Sequence, residues 1–395
     1  MSRHKTFVIL LAALYVLLIA PIDALRAQAF YNAINVLDYG ADPTGKSDST
    51  AAFNRWWSAC SHEQTTITLC SIPSGTYSFN ADLILDFSGN PGGGVVVQGA
   101  GQNKTLLDFA DGKYLSIIDS AGGGAFYGTF SDFGVLATNP SGAALQLGQT
   151  NFSDALNSFA FRDIWVKNVA SVSGSAGLQL NQVYSSAFSN VTTSDGCPES
   201  DGNCPNGGDS LLLTQSSFNT FQGSFSEARN GVRLAVGYNF GNVFTSPDLE
   251  VNYDDLVIQD ATSTHNTFIG GQWVYVGNAL YASAGSGNVV EYANFSGSIQ
   301  SAGPAIGLAS GLTVKGAYSF VSTPPFPSSG QVIANTTGRD VFVNLYNMIN
   351  PTICYGPGAT TCITPGSSTT ILVRNGDSIK VDSMRPGNWV WIEAY

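Results

Sequence analysis

The sequence predicts an all-β solenoid, a chain wound into stacked coils with a cap helix before the coils and a small β-sandwich after them. Three observations predict it. The chain has 395 residues, 44% hydrophobic and only 11% charged, with 44 Gly against 16 Pro and abundant Ser, Thr and Asn; that mixture favours short strands and turns over long helices. The tripeptides Asn219-Thr220-Phe221, Asn242-Val243-Phe244, Asn266-Thr267-Phe268 and Asn288-Val289-Val290 recur at intervals of 23, 24 and 22 residues. A single helix-like block, residues 35–57, precedes them.

In chain order, Arg3, His4 and Lys5 are followed by an apolar run from Phe7 to Ala20 and by Ala27-Gln28-Ala29. This order reads as a secretory signal peptide over residues 1–29, cleaved before Phe30, because the run is too short to span a bilayer. The expected location is secreted or periplasmic, with no membrane contact after cleavage. The segment removes Arg3, Lys5 and Arg26 but only one acid, Asp23, so the formal charge moves from −12 to −14. A chain so acidic, with no later basic run, excludes nucleic acid as a partner class and favours a neutral ligand over a polyanion.

Residues 35–57 read as a short strand, a Gly/Pro turn, an N-cap at Asp48 or Ser49, and a helix whose apolar face is Ala52, Phe53, Trp56 and Trp57. With its Tyr-Gly-Ala, its Gly-containing turn and its Asp-Ser-Thr-Ala-Ala-Phe, the block resembles the opening of pectate-lyase-superfamily proteins. The resemblance implies a right-handed single-stranded parallel β-helix whose N-terminal end the helix closes. The four Asn tripeptides support stacked coils independently, since each coil must bury its inner face against the next. In each, Asn should occupy a turn that needs unusual backbone angles or side-chain pairing, with the apolar residue stacked inside. Weaker copies lie at Asn157-Ser158-Phe159 and Ser186-Ala187-Phe188. The solenoid is expected over residues 30–321 together with the cap helix.

Six cysteines form three close pairs, Cys60/Cys70, Cys197/Cys204 and Cys354/Cys362. In an exported chain these read as three local disulfides, although fifteen pairings exist for six cysteines. Zinc is the weaker reading, since no Cys-x-x-Cys occurs. Ser322 to Gly330, rich in Pro and Ser, reads as a linker. The runs 341–345, 370–373, 378–381 and 389–392 then suggest an antiparallel β-sandwich over 331–395. In relatives such appendages serve as caps, trimerisation modules or carbohydrate-binding modules, so the resemblance admits a homotrimer.

Counting eight residues from Asn219 and from Asn242 reaches Glu227 and Glu250. If the repeat holds, these acids occupy equal positions on adjacent coils, about 4.8 Å apart in backbone, which suits the acid/base and nucleophile of a retaining glycosidase. Crowding of the two charges should raise one pKa. The same count from Ser186 reaches Ser194, with Asp195 beside it as a reserve carboxylate. Trp273 and Tyr275 would offer aromatic faces to sugar rings on the next coil, and Arg229 and Asp254 would contact substrate. Arg229 and Arg233 could also simply pair with Glu227, and outward acids on a solenoid are often only solvated.

The segments Phe244 to Glu250 and Asn266 to Gly271 look like rungs of tailspike-like members of the superfamily, many of which depolymerise polysaccharides while others only bind. Polygalacturonases of this fold carry Gly-His-Gly and Arg-Ile-Lys blocks; this chain has neither, and Thr193-Ser194-Asp195-Gly196 and Asp254-Asp255 are partial echoes. The resemblance therefore implies a polysaccharide partner. Three activities stay open: hydrolysis by a carboxylate pair without a cofactor, elimination of the pectate-lyase type with Ca²⁺, or binding without cleavage, as in a spike.

Overall fold

The computed structural model describes residues 33–394 except 62–67, 90–93, 171, 195–203, 283, 296–311, 316–317, 321–323, 325, 339, 347, 350, 366–368 and 384–387. The signal-peptide segment, Cys197 and Asp195 lie outside the described residues. The chain is an all-β, right-handed parallel β-helix, each coil pairing in parallel with the coil above and below. Among the described residues no helix is long and apolar enough to cross a membrane.

The helix Thr50–Ser61 starts where expected, with the Asp48 carboxylate accepting from the Thr50 amide at 3.0 Å. Its face of Ala52, Phe53, Trp56 and Trp57 is buried against the first coils, with Phe53 edge-on to Phe79 and Trp57 edge-on to Phe87. The Trp56 and Trp57 indoles donate to the carbonyls of Ile34 and Asp86, and a Cys60–Cys70 disulfide joins the helix to the strand Thr68–Ser71. Capping of this kind covers an apolar end that would otherwise meet water.

Each coil has three faces. In one coil, face one is Val243–Thr245, face two opens the strand Asp248–Ile258, and face three closes that strand after a bend. The corner between faces three and one places one buried Asn in each of four successive coils, Asn219, Asn242, Asn266 and Asn288. The amide and side chain of Asn219 both donate to Asn242 Oδ1 at 3.1 Å, those of Asn242 to Asn266 Oδ1, and those of Asn266 to Asn288 Oδ1. The asparagines thus take the side-chain pairing of the two expected options, while the left-handed backbone falls on the residue before each: Phe218, Gly241, His265 and Gly287. Two positions later Phe221, Phe244 and Phe268 continue a column with Phe130, Phe161 and Phe188, whose ring centroids close from 5.5 to 4.3 Å along the axis.

Coil length varies. Ala187 pairs with Thr220, 33 residues on, and Thr220 with Val243, 23 residues on. Most of that difference is the segment that carries Cys204, itself disulfide-bonded, on the corner between faces two and three. The corner between faces one and two has a left-handed residue in most coils, Asp132, Asp163, Asn190, Ser246 and Gly270. In the coil of Asn219 it is missing: Ser189 pairs with Gln222 and Val191 with Gly223, so the strand Thr220–Ser226 passes the corner one residue short.

After the solenoid, Val341–Tyr346, Thr369–Val373 and Asn388–Ala394 form one antiparallel sheet and Val332–Ala334, Ser378–Asp382, Thr352–Gly356 and Thr361–Ile363 a second. They enclose a separate core that includes Val341, Val343, Ile379, Trp389 and Trp391. Cys354 and Cys362 are directly opposite in their hairpin and disulfide-bonded. The segment read as a linker is partly packed: the Trp389 indole donates to the Pro324 carbonyl at 2.7 Å and its ring meets Phe326. Asn388–Ala394 also pairs antiparallel with Tyr318–Phe320, which continues the solenoid sheet into the first C-terminal sheet.

Candidate functional site

The missing corner residue decides the fate of the glutamate pair. Beyond it Ser224 pairs with Asp248, an offset of 24 where face one has 23. Glu227 is consequently level with Val251, and both hold left-handed backbone at the corner between faces two and three, with φ 54° and 57°. The Glu227 amide donates to the Glu250 carbonyl at 3.0 Å, so the residues are neighbours, but one position out of phase. Their carboxylates diverge. Glu227 turns back along the axis to Lys167, 3.7 Å away, and Glu250 turns forward to accept from Gln272 at 3.2 Å. The charge that raises the Glu250 pKa is that of Asp248, with burial second. The expected facing pair does not form.

The aromatic expectation is also corrected. Val274 is the outward residue of its strand, so both of its neighbours point inward, as alternation requires. Trp273 is wholly buried between Phe268 and Phe295, and Tyr275 is 5% exposed. Neither offers a ring face to a ligand.

Arg229 and Asp254, by contrast, meet. Face three stacks Asp209, Asn230, Asp254 and Asn278 on successive coils in direct register. Asp209 accepts from Asn230 Nδ2 at 2.6 Å and from Arg233 Nε at 2.8 Å. Asp254 accepts from the Asn278 amide and side chain at 3.0 and 2.8 Å and from Arg229 at 3.0 Å. Arg229 lies 4.2 Å above the Tyr253 ring centre, a cation–π contact. Arg229 and Arg233 thus serve these two aspartates, and Glu227 is left to Lys167.

This row is the floor of a cleft of about 460 Å³ that opens outward. Pro205 to Gly208, from the long corner segment, also line it, as do Ser173, Gly174 and Tyr281. Both aspartates are nearly inaccessible, at 3% and 2%. Burial raises both pKas, opposed at Asp209 mainly by Arg233 and at Asp254 by Asn278 and then Arg229. Among the described residues no three or more His, Cys, Asp or Glu side chains gather as metal ligands would, and the oxygens of Asp209 and Asp254 are occupied by Arg and Asn donors. Sequence reasoning missed Asp209, Asn230 and Asn278. The signal was present, as Asp or Asn recurring at 21, 24 and 24 residues.

Behind the cleft, Asp255 points inward and is fully buried. Its Oδ1 accepts from Asn252 at 3.1 Å and its Oδ2 has no hydrogen-bond partner. Its pKa stands well above the ordinary carboxylate value, chiefly through burial.

Residues 33–139 match the family described as rhamnogalacturonase A/epimerase, pectate lyase-like; the match covers the cap and early coils and stops short of the cleft. No curated protein matches. Among solved structures, ORF18 of Geobacillus virus E2 is 13% identical over 93% of this chain and 78% of its own, with a TM-score of 0.44. Tailspike protein 4 of bacteriophage CBA120, its enzymatically active domain, is 12% identical over 93% and 66%, with a TM-score of 0.44. The A-module of the Azotobacter vinelandii mannuronan C-5 epimerase AlgE6 is 17% identical over 72% and 73%, with a TM-score of 0.36. Residues 33–139 are thus pectate lyase-like, and the coils after them continue the same parallel β-helix.

Proposed function

We propose that this chain, a parallel β-helix with the pectate-lyase-like fold, is an exported carbohydrate-active protein that takes a polysaccharide into the face-three cleft and hydrolyses its glycosidic bonds. The observation that carries this reading is the row Asp209, Asn230, Asp254, Asn278 at the base of an outward cleft. Asp209 and Asp254 are two coils apart, about 9.5 Å between backbones, a spacing at the upper end of the separation at which inverting glycosidases hold their carboxyl groups with room for a water. Burial favours a retained proton on one of them, as a general acid needs. With the Arg and Asn donors turned aside by the substrate, that carboxyl group gives its proton to the departing sugar oxygen as the glycosidic bond breaks, while the other takes a proton from the water whose oxygen bonds to the anomeric carbon. Arg229 and Arg233 fix the two carboxyl groups, and Asn206 and Gln259, which also line the cleft, meet sugar hydroxyls. The two described disulfides accord with an oxidising compartment.

A second reading, elimination from a uronate polymer, is favoured by Arg229 lying 3.0 Å from Asp254, a basic group beside the acids. One experiment separates the readings. Neutral and acidic polysaccharides are incubated with the wild type and Asp254→Asn, and both new reducing ends and ultraviolet absorbance are read. Hydrolysis gives reducing ends without absorbance and is lost in the variant; absorbance points to elimination. Unchanged polymer throughout leaves a binding protein and ends the hydrolase reading.

A further inference from the structure

The corner between faces three and one carries a left-handed residue on each of six successive coils, Tyr127, Ser158, Ser185, Phe218, Gly241 and His265, with φ from 50° to 65°. Backbone hydrogen bonds set them in line: each amide donates to the residue preceding the next member, as Phe218 N does to Phe240 O at 2.9 Å and Gly241 N to Thr264 O at 3.3 Å. Glycine suits such a position. A large aromatic residue pays steric cost there, and burial does not repay it, since Tyr127 is 65% and Phe218 57% exposed.

The rings are laid out rather than splayed. A Cβ on Gly241 would come within 3.0 Å of the Phe218 ring, and one on Gly287 within 3.0 Å of the His265 ring, so each ring lies along the axis with its inner side on the glycine of the next coil. Phe240 fills the gap between them, with centroids 5.2 Å from Phe218 and 5.2 Å from His265. Tyr238, 71% exposed, stands beside this group. The result is an aromatic patch over the coils of Phe218, Gly241 and His265, elongated along the solenoid axis; Tyr127 stands three coils nearer the N-terminus, across Ser158 and Ser185.

Its dimensions choose the occupant. The patch spans two coil spacings, about 10 Å, and Tyr127 lies three further spacings, about 14 Å, from it; neither approaches the roughly 800 Å² per partner of a stable protein pair. A linear sugar chain is long and narrow, and its C–H faces pack on ring faces. The six corner residues include no acid or lysine, and the chain as a whole is strongly acidic, which disfavours a polyanion. We propose that this corner is a second glycan-binding surface, separate from the cleft, on which a neutral polysaccharide stacks along the solenoid axis.

The test is affinity electrophoresis of the full chain in native gels containing galactomannan, xyloglucan, mixed-linkage β-glucan, starch or polygalacturonate. The wild type is compared with Tyr127→Ser/Phe218→Ser, which installs the residue that the neighbouring coils already carry. At least one neutral gel should retard the wild type, and the double variant should lose about three- to tenfold in apparent affinity with no fall in unfolding temperature. The proposal is overturned if no neutral gel retards the wild type, if only polygalacturonate does, if the variant is retarded equally, or if light scattering shows that the substitution dissolves an oligomer without changing retardation. Tyr127→Ser/Phe218→Ser is also compared in an Asp254→Asn background, where the same loss of about three- to tenfold should appear whether or not any polymer is ever cleaved; a loss that vanishes in that background would assign the retardation to the cleft and overturn the proposal.

Discussion

Asp255 follows Asp254 in the chain and points the opposite way, and the two show what alternation does to an acid. Asp254 reaches Arg229 and Asn278 in the cleft; Asp255 enters the core with one oxygen unpartnered. A carboxyl group whose folded pKa is raised binds its proton more tightly folded than unfolded, so stability falls as pH rises from about 4 toward the raised value and is flat above it. Asp255→Asn should therefore raise the unfolding temperature near pH 8 and bring little change near pH 4, a difference that melting curves across that range will show. The glutamates make a second residue-scale prediction. Glu227→Gln and Glu250→Gln should leave cleavage within about twofold, while Asp254→Asn lowers it about a hundredfold or more in a reducing-end assay. A large loss in either Gln variant would return the site to face two. Their spacing was legible in the sequence and their phase was not, because the count of eight assumed a corner residue in every coil and the coil of Asn219 has none. Trp273 and Tyr275 failed for a plainer reason: flanking an outward residue places both inside.

At the scale of one element, the asparagine corner and the phenylalanine column are two outcomes of one repeat. Asn242 Oδ1 receives two donors from Asn219, and Asn242 Nδ2 donates to Ser216 O and to Asn266 Oδ1. Asn242→Ala strands the Asn219 donors and the Ser216 carbonyl in the interior, at about 1–3 kcal/mol for each group left unpaired. Phe244→Ala opens a cavity between two stacked rings and should cost about 3–5 kcal/mol. Urea unfolding of both variants measures these losses, and a loss below about 1 kcal/mol for Asn242→Ala would mean that the corner is held by backbone alone. These elements could be read from sequence because every coil must solve the same burial problem. The face-three row could be read only in part, since Asp and Asn alternate there and no single residue type recurs.

For the whole molecule, both ends of the apolar column need cover. The helix Thr50–Ser61 covers one, tied by Cys60–Cys70. Cys60→Ser/Cys70→Ser releases a loop of ten residues, a loss of about 2–3 kcal/mol in the chain-entropy estimate, to be measured by thermal unfolding with and without reductant. At the other end the strand Asn388–Ala394 pairs with both Tyr318–Phe320 and Val341–Tyr346. Deleting residues 388–394 should uncover a strand edge and produce aggregates in size-exclusion chromatography. The two antiparallel sheets were legible from their alternating runs; that one of them continues the solenoid was not, because pairing between distant strands leaves no local pattern.

That shared strand also sets a timetable for biosynthesis. Ala394 is made 76 residues after Tyr318, the partner it covers, which at about 5–20 residues per second is a delay of some 4–15 seconds on the ribosome. Throughout that interval the newest coil presents an unsatisfied β-edge to every other nascent chain nearby. Production at lower temperature, or with chaperones in excess, acts on this interval, and the finished protein gains nothing further from either.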